Sequence, residues 1–191
     1  MTREFEETTS THFDVAVIGA GPAGCEAALA AAREGAHTLC LTINLDMIGY
    51  PPATPVLVDG RDDRRQALLS ELADLGGQLP ALLRRGGIAG TDGVEGRMLV
   101  DRRKLGLRWK ELLENEAGVV LRQALVTDLE RPGASWGLTT KLGESFTAAA
   151  VVIAAGTLLK GRVVEAGRKR TGGSWAERPA KTVAKNRPKV G

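Results

Sequence analysis

The residues whose spacing most clearly suggests a chemical role form the run Gly19-Ala20-Gly21-Pro22-Ala23-Gly24. It follows the apolar segment 13–18 and precedes an alanine-rich segment that ends at Gly35. In such a strand–turn–helix unit the first glycine permits a tight turn and the second lets the backbone approach a pyrophosphate. The third lets the helix pack closely on the strand, and the N–H groups at the helix start face the phosphates. The run therefore predicts a dinucleotide-binding site.

The residue that would bind the ribose of this dinucleotide is less clearly indicated. An acidic residue is usual about 20 residues further on, at the end of the second strand. Here that strand ends in Leu41-Thr42-Ile43-Asn44, and the first acid is Asp46. Thr42 or Asn44 could bind a ribose hydroxyl as a neutral group, and the lack of a nearby arginine argues against the 2′-phosphate of NADP. The residues alone leave open which dinucleotide is bound.

These residues would be positioned by a Rossmann-like α/β fold, in which helices flank a parallel sheet. We expect a small antiparallel β layer from a hairpin over 136–147. Residues 50–95 contain a helical period from Arg64 to Leu75, and we expect them to pack over the nucleotide face or to form a lid. The predicted strands cover 13–18, 37–42, 119–129 and 151–155, and the predicted flanking helices cover 25–34 and 102–115.

The length of 191 residues, with 43% hydrophobic and 26% charged residues, indicates one soluble domain. We divide the chain into a polar leader (1–12), the nucleotide-binding domain (13–177) and a basic tail (178–191). Two cysteines and two histidines exclude a disulfide framework and argue against a metal site. The acidic start of the chain is unlike a secretory signal, and its most apolar stretch is interrupted by Gly and Pro, so we expect a cytoplasmic protein without a membrane span.

Charge is distributed unevenly along the chain. Residues 1–95 carry 7 basic and 14 acidic side chains, whereas residues 96–191 carry 19 basic and 9 acidic ones. A basic half can bind RNA, but single-strand readers usually add stacking aromatics, and the basic end of the chain has only Trp175. A solvated basic tail therefore explains the charge as well, and RNA binding has no further support in the sequence.

The segment from Phe13 to Gly49, FDVAVIGAGPAGCEAALAAAREGAHTLCLTINLDMIG, closely resembles the N-terminal FAD-binding segment of the GidA/MnmG family, flavoproteins of tRNA wobble-uridine modification. Further similarity follows in family order over about two thirds of the chain: at 71–77, from Arg97 into the next helix, at 126–129, and at 147–162. The resemblance implies FAD as the cofactor.

The same resemblance implies roles for individual residues. The glycine run with the helix start at Cys25 would hold the pyrophosphate, and Thr42 and Asn44 would lie near the ribose. Val126 would lie at the adenine. The remaining residues implied at the cofactor are Arg97, Ala155, Gly156 and Thr157.

Two departures from the family pattern limit what the resemblance implies. The family carries a catalytic cysteine in an SCNP-type loop, but residues 50–55 here read YPPATP and contain no thiol. The NAD-binding domain, the helical C-terminal domain and the late flavin-binding strand of the longer family proteins have no counterpart in 191 residues. No catalytic residue can therefore be assigned.

Three functions remain open at this point. The first is a small FAD-dependent oxidoreductase that accepts electrons from NADH or NADPH, with Tyr50 and Thr54 as polar residues on the substrate side. The second is a non-catalytic FAD-binding module, and the third is a subunit linked to tRNA wobble-uridine modification. A homodimer would give cover to the apolar residues Leu158, Leu159, Val163 and Val164.

Overall fold

The computed structural model describes residues 11–50, 56–59, 63–85, 88–91, 97–156, 162–165 and 168–171. Most of the predicted leader, residues 51–55 of the proline-rich loop, Thr157 and the basic tail lie outside these ranges. The side chains proposed to form a dimer contact also lie outside the described part.

The described elements are four α-helices and eleven strands, with a 3-10 turn at Leu45–Met47. The helices are α1 (Pro22–Arg33), α2 (Asp63–Asp74), α3 (Leu79–Arg84) and α4 (Arg102–Asn115). The strands are β1 (His12–Ile18), β2 (Thr38–Thr42), β3 (Val56–Asp59), β4 (Ala89–Thr91), β5 (Arg97–Val100), β6 (Val119–Gln123), β7 (Val126–Glu130), β8 (Trp136–Thr140), β9 (Ser145–Ile153), β10 (Arg162–Glu165) and β11 (Arg168–Thr171).

The main sheet has six strands in the order β6-β2-β1-β9-β8-β7. Its first four strands are parallel, and Val17 of β1 is paired with Cys40 on one side and Val152 on the other. The remaining strands continue antiparallel from β9. Two smaller sheets, β3-β5-β4 and β10-β11, complete the described part. This arrangement confirms the predicted fold class, a parallel sheet flanked by helices with an antiparallel addition.

Two of the predicted strands have different bounds in the structure. The strand predicted over 119–129 is two strands, because β6 pairs with β2 whereas β7 pairs with β8 at the other end of the sheet. The strand predicted over 151–155 begins at Ser145, since its first residues pair with β8 and the later ones with β1. The antiparallel layer is therefore three-stranded and continuous with the parallel sheet.

The helix predicted from residue 25 begins at Pro22, inside the glycine run. Proline suits the first position of a helix because it has no N–H to satisfy and its φ is already helical. The helix start therefore lies three residues closer to the turn than the alanine-rich pattern indicates.

Two buried apolar clusters lie on opposite faces of the parallel strands. The first joins Val17 and Cys40 to the helices, with Leu29 from α1, Leu82 from α3 and Trp109 from α4. The second joins alternate residues of the same strands to the antiparallel addition. Its members are Phe13, Ala16, Ile18, Leu39, Leu41, Val126, Leu129, Leu138, Phe146 and Ala148. The sheet is thus covered on both faces, as parallel strands require.

The short helix α3 is attached to α1 through Glu26. The Glu26 carboxylate accepts hydrogen bonds from the N–H groups of Gln78, at 2.9 Å, and Leu79, at 2.7 Å. The first N–H groups of a helix have no partner inside it, so this side chain from another helix supplies the cap. Part of the segment 50–95 is thereby fixed to the helical layer.

We expect Glu26→Ala to lower the free energy of unfolding by about 2 kcal/mol, because two partly buried N–H groups lose a charged acceptor. Chemical denaturation measures this change. Glu26→Gln is the matched control: it keeps one carbonyl oxygen and should cause a smaller loss. An alanine variant as stable as the wild type would contradict the capping role.

The start of α4 is capped by Asp101. Its Oδ1 accepts from the Lys104 N–H at 3.0 Å, and this hydrogen bond, with the nearby Lys104 ammonium, lowers the pKa of Asp101 from 3.8. A carboxyl group whose pKa is lowered in the folded state stabilises the fold at pH values above the pKa that it has in the unfolded chain. That stabilisation is lost as the pH falls through the lowered value.

We therefore expect the stability difference between the wild type and Asp101→Asn to depend on pH. Asparagine also caps helices but does not titrate in this range. Denaturation at a series of pH values should show a wild-type advantage near neutral pH that shrinks below about pH 4. A difference that is constant from neutral to acid pH would show that the carboxylate charge does not contribute.

No helix within the described ranges is long and apolar enough to cross a membrane.

Candidate functional site

The first glycine of the run forms the turn that ends β1. Gly19 has φ +106°, a conformation that side-chain-bearing residues rarely adopt. Its N–H donates to Leu41 O at 2.7 Å, and Ala154 N–H donates to Ile18 O at 2.9 Å. A Cβ on Gly19 would lie 2.5 Å from Ala154 O. The turn therefore lies between the ends of β2 and β9, where only glycine fits.

Gly24 allows α1 to approach this turn closely. A Cβ at this position would overlap the carbonyl oxygen of Gly19 and would lie 3.3 Å from Ala154 Cβ. The helix can take its place on the sheet only because Gly24 has no side chain. Gly24 is required by the fold, before any ligand is considered.

Gly21 differs from both, because the protein itself does not require a glycine there. Its φ of −70° and ψ of 178° are accessible to any residue, and a Cβ would meet no atom within 4 Å. The first turn of α1 carries no acidic residue, and Gly21 provides no side-chain cap. The N–H groups of Ala23 and Gly24 lack an acceptor within the helix, since they lie in its first turn. Open space and free donors at a helix start make an anion-binding site.

Cys25, which the family resemblance places at the pyrophosphate, lies below this surface. Its N–H donates to Gly21 O at 2.9 Å and its thiol donates to Ala20 O at 3.3 Å. Burial, with a smaller effect from nearby Cys40, raises the pKa of the Cys25 thiol strongly; burial also raises the pKa of Cys40 to about 12. Both thiols are protonated at neutral pH, so neither is a nucleophile.

The two candidate ribose residues lie at the end of β2, and both have local hydrogen bonds. The buried Thr42 hydroxyl donates to Asn44 O at 3.2 Å, and Asn44 Oδ1 accepts from Asp46 N–H at 2.8 Å. Thr42 therefore orders the turn that presents Asn44. Asn44 is exposed, and its amide nitrogen is the donor that it can offer to a hydroxyl group.

The segment that precedes Val126 is brought to the same edge of the sheet. The hydrogen bond from Ala124 N–H to Thr42 O places the start of β7 beside the end of β2. Gln123 Oε1 accepts from Leu45 N–H at 3.3 Å and joins β6 to the following turn. The Val126 side chain is buried in the second cluster, so its backbone is the part that could contact a base.

The remaining residues that were predicted at the cofactor do not all lie at this edge of the sheet. Ala155 and Gly156 follow β9 at the edge that holds the glycine turn, and Gly156 has φ +57°. Arg97 opens β5 in the separate β3-β5-β4 sheet, so its backbone is not part of this edge. Thr157 lies outside the described residues.

Two residues of the site were missed by the sequence analysis. Ala154 makes the close approach to Gly19 and Gly24 described above. Gly49, with φ +65°, donates its N–H to Ala20 O at 2.7 Å and packs against Trp109, which would overlap a Cβ there. The sequence carries no local signal for this contact, because Trp109 lies 60 residues after Gly49.

Among the described residues, no group of three or more His, Cys, Asp or Glu side chains is placed to hold a metal ion. The site consists instead of backbone donors and small residues at the carboxyl ends of β1, β2 and β9. In open α/β sheets this edge is where nucleotides bind.

A family model and the curated relatives of this chain identify the same protein family. The family model for glucose inhibited division protein A matches residues 14–191. The chain is 33% identical over 202 residues to the tRNA uridine 5-carboxymethylaminomethyl modification enzyme MnmG of Streptococcus pyogenes, covering 100% of this chain and 30% of the relative. It thus spans about 30% of the length of the curated relatives it matches.

Solved structures support the same assignment. Aquifex aeolicus GidA superposes with a TM-score of 0.79 at 30% identity, over 91% of this chain and 30% of that chain. A GidA-related protein from Thermus thermophilus shares the fold, with a TM-score of 0.61 at 24% identity, and this chain covers 66% of it. The family is one of FAD-binding proteins, which confirms the cofactor expectation at the level of the family. The chain belongs to the GidA family and corresponds to its N-terminal segment.

Proposed function

We propose that this chain binds FAD along the carboxyl edge of its parallel strands. The observation that carries the proposal is the open space at Gly21 beside an uncapped helix start, next to two glycines that the fold itself requires. The N–H groups of Ala23 and Gly24 would bind the pyrophosphate, with the positive end of the α1 dipole behind them. The Asn44 amide would bind the ribose.

The other end of the cofactor would pass the residues after β9. The segment Ala154-Ala155-Gly156 that follows β9 presents backbone with little side-chain bulk, so a planar ring system could lie against it. Val126 would contact the adenine through its backbone. Arg97 and Thr157 remain candidates by family resemblance alone.

We further propose that the protein is a small FAD-dependent oxidoreductase. Bound FAD supplies two-electron redox chemistry, and the protein contributes binding, orientation and electrostatics. Both cysteines are buried and protonated, and residues 50–55 carry no thiol, so covalent thiol catalysis is not part of this proposal. Tyr50 and Thr54 are the polar residues suggested for the substrate side.

A second candidate is a non-catalytic FAD-binding module or a subunit linked to tRNA wobble-uridine modification. It is favoured by the absence of a thiol from residues 50–55 and by similarity to MnmG relatives, whose names describe a tRNA uridine modification. In that case the basic second half would contact RNA. A cytoplasmic location suits either candidate and stays a prediction.

Anaerobic mixing of the FAD-loaded protein with NADH or NADPH separates the two candidates. An oxidoreductase should lose its visible flavin absorption on mixing and recover it when a substrate is added. A flavin that neither donor reduces would favour the non-catalytic module. RNA binding that weakens with salt and after removal of residues 160–191 would support the subunit linked to tRNA modification.

A further inference from the structure

A second concave site lies beside the nucleotide edge, between the segment 45–50 and helix α4. It has a volume of about 450 Å³. One wall is formed by α4, with Arg103, Leu107 and Lys110, and the other by Asp46, Ile48 and Tyr50. We refer to it as the α4 groove.

The α4 groove is separated from the glycine turn by a single residue. Ile48 and Tyr50 line the groove, and Gly49 between them donates its N–H to Ala20 O. A ligand in the groove would therefore lie next to the proposed FAD site without overlapping the donors at Ala23 and Gly24.

The helix wall offers two cations on either side of an apolar surface. Arg103, Leu107 and Lys110 share one helix face, and the Cα positions of Arg103 and Lys110 are about 10 Å apart along the axis, a span over which two long side chains can converge on one phosphate. Leu107 is 60% exposed. Arg103 has no ion-pair partner among the described residues. Lys110 Nζ lies 3.8 Å from Glu114 Oε1, and because this ion pair is long and exposed to solvent it contributes little, so a ligand phosphate can replace Glu114.

The opposite wall offers an acceptor and a fixed aromatic ring. Asp46 is exposed and can accept from a hydroxyl group. The Tyr50 ring packs on Gly106, where a Cβ would lie 3.3 Å from it, and the guanidinium of Arg102 lies 5.1 Å from its centroid. The ring is therefore held in place as a wall of the groove.

We propose that the α4 groove binds a phosphorylated sugar or nucleotide. The phosphate would contact Arg103 and Lys110, a sugar hydroxyl would contact Asp46, and the less polar part would pack on Leu107 and Tyr50. The carboxylate of Asp46 disfavours a simple inorganic anion and favours a ligand that also carries hydroxyl donors. This inference does not depend on the proposed redox activity.

The test is calorimetric binding of AMP to FAD-saturated protein, in which the dinucleotide site is already filled. We expect one AMP site whose affinity falls at least about tenfold in Arg103→Gln and in Lys110→Gln. Arg108→Gln is the matched control, since Arg108 lies on the same helix outside the groove and pairs with Glu111 at 2.6 Å. Its AMP affinity should equal that of the wild type.

A short single-stranded RNA in place of AMP identifies the source of the phosphate. RNA binding with the same dependence on Arg103 and Lys110 would identify a polymer ligand, whereas binding of AMP alone would identify a free nucleotide. Failure of both probes, or equal loss in Arg108→Gln, would overturn the proposal. If the protein does not bind FAD, AMP could occupy the empty dinucleotide site instead of the α4 groove. AMP binding that is lost in Gly21→Val but kept in Arg103→Gln would show this and would overturn the proposal.

Discussion

We expect FAD affinity to fall by about 100-fold or more when Gly21 is replaced by valine, while the stability of the cofactor-free protein stays nearly unchanged. The backbone at Gly21 is extended, and a side chain there meets no protein atom within 4 Å. The added carbons would instead occupy the space in which we place the pyrophosphate. Loss of two charge-assisted hydrogen bonds is enough to produce an effect of this size. FAD titration and chemical denaturation of the same variant measure the two quantities.

Gly24→Ala is the informative control because it should behave in the opposite way. A Cβ at Gly24 overlaps the Gly19 carbonyl, so the helix must shift and the cofactor-free protein loses stability. If Gly21→Val binds FAD as the wild type does, the pyrophosphate does not lie where we propose. If Gly21→Val unfolds the protein, this glycine is structural and the argument from open space fails.

The second large effect is expected at Trp109. We expect Trp109→Ala to lower the free energy of unfolding by about 3–5 kcal/mol, because it leaves a cavity in the first cluster. Trp109 is fully buried and packs against Gly49, whose N–H is bonded to Ala20 in the glycine turn. FAD affinity should therefore also fall, through loosening of the turn. Denaturation and FAD titration test both parts.

Trp109→Phe separates the volume of the ring from its polar atom. The indole Nε1 is buried and has no hydrogen-bond partner in the described part of the chain, so its removal should cost little. Leu107→Ala, on the exposed face of the same helix, should change stability by no more than about 0.5 kcal/mol. Equal losses in Trp109→Ala and Leu107→Ala would contradict the placement of Trp109 in the core.

The strand–turn–helix–strand unit could be predicted because its determinants are adjacent in sequence. Gly19, Gly21 and Gly24 each have a physical role that follows from spacing, and the structure gives each a different local environment. The break within 119–129 could not be predicted in this way. It arises because the residues before it pair with β2 and the residues after it pair with β8, and no glycine or proline marks it.

The parts of the site missed by the sequence analysis depend on contacts between distant segments. Ala154 and Gly49 matter because other backbone or an indole ring lies against them, which composition does not reveal. Cys25 was assigned to the pyrophosphate by resemblance, whereas its amide and thiol are both bonded within the turn. Thr42, expected near the ribose, orders the turn that presents Asn44. Local hydrogen bonds of this kind require the folded geometry.

The central claim is that this chain alone binds FAD. The most direct test is the visible spectrum of the purified protein, followed by release and chromatography of any bound cofactor. We predict flavin absorption with one FAD per chain, either as purified or after addition of FAD. A colourless protein that also fails to bind added FAD would contradict the account, and would leave a Rossmann-like fold that uses another dinucleotide or none.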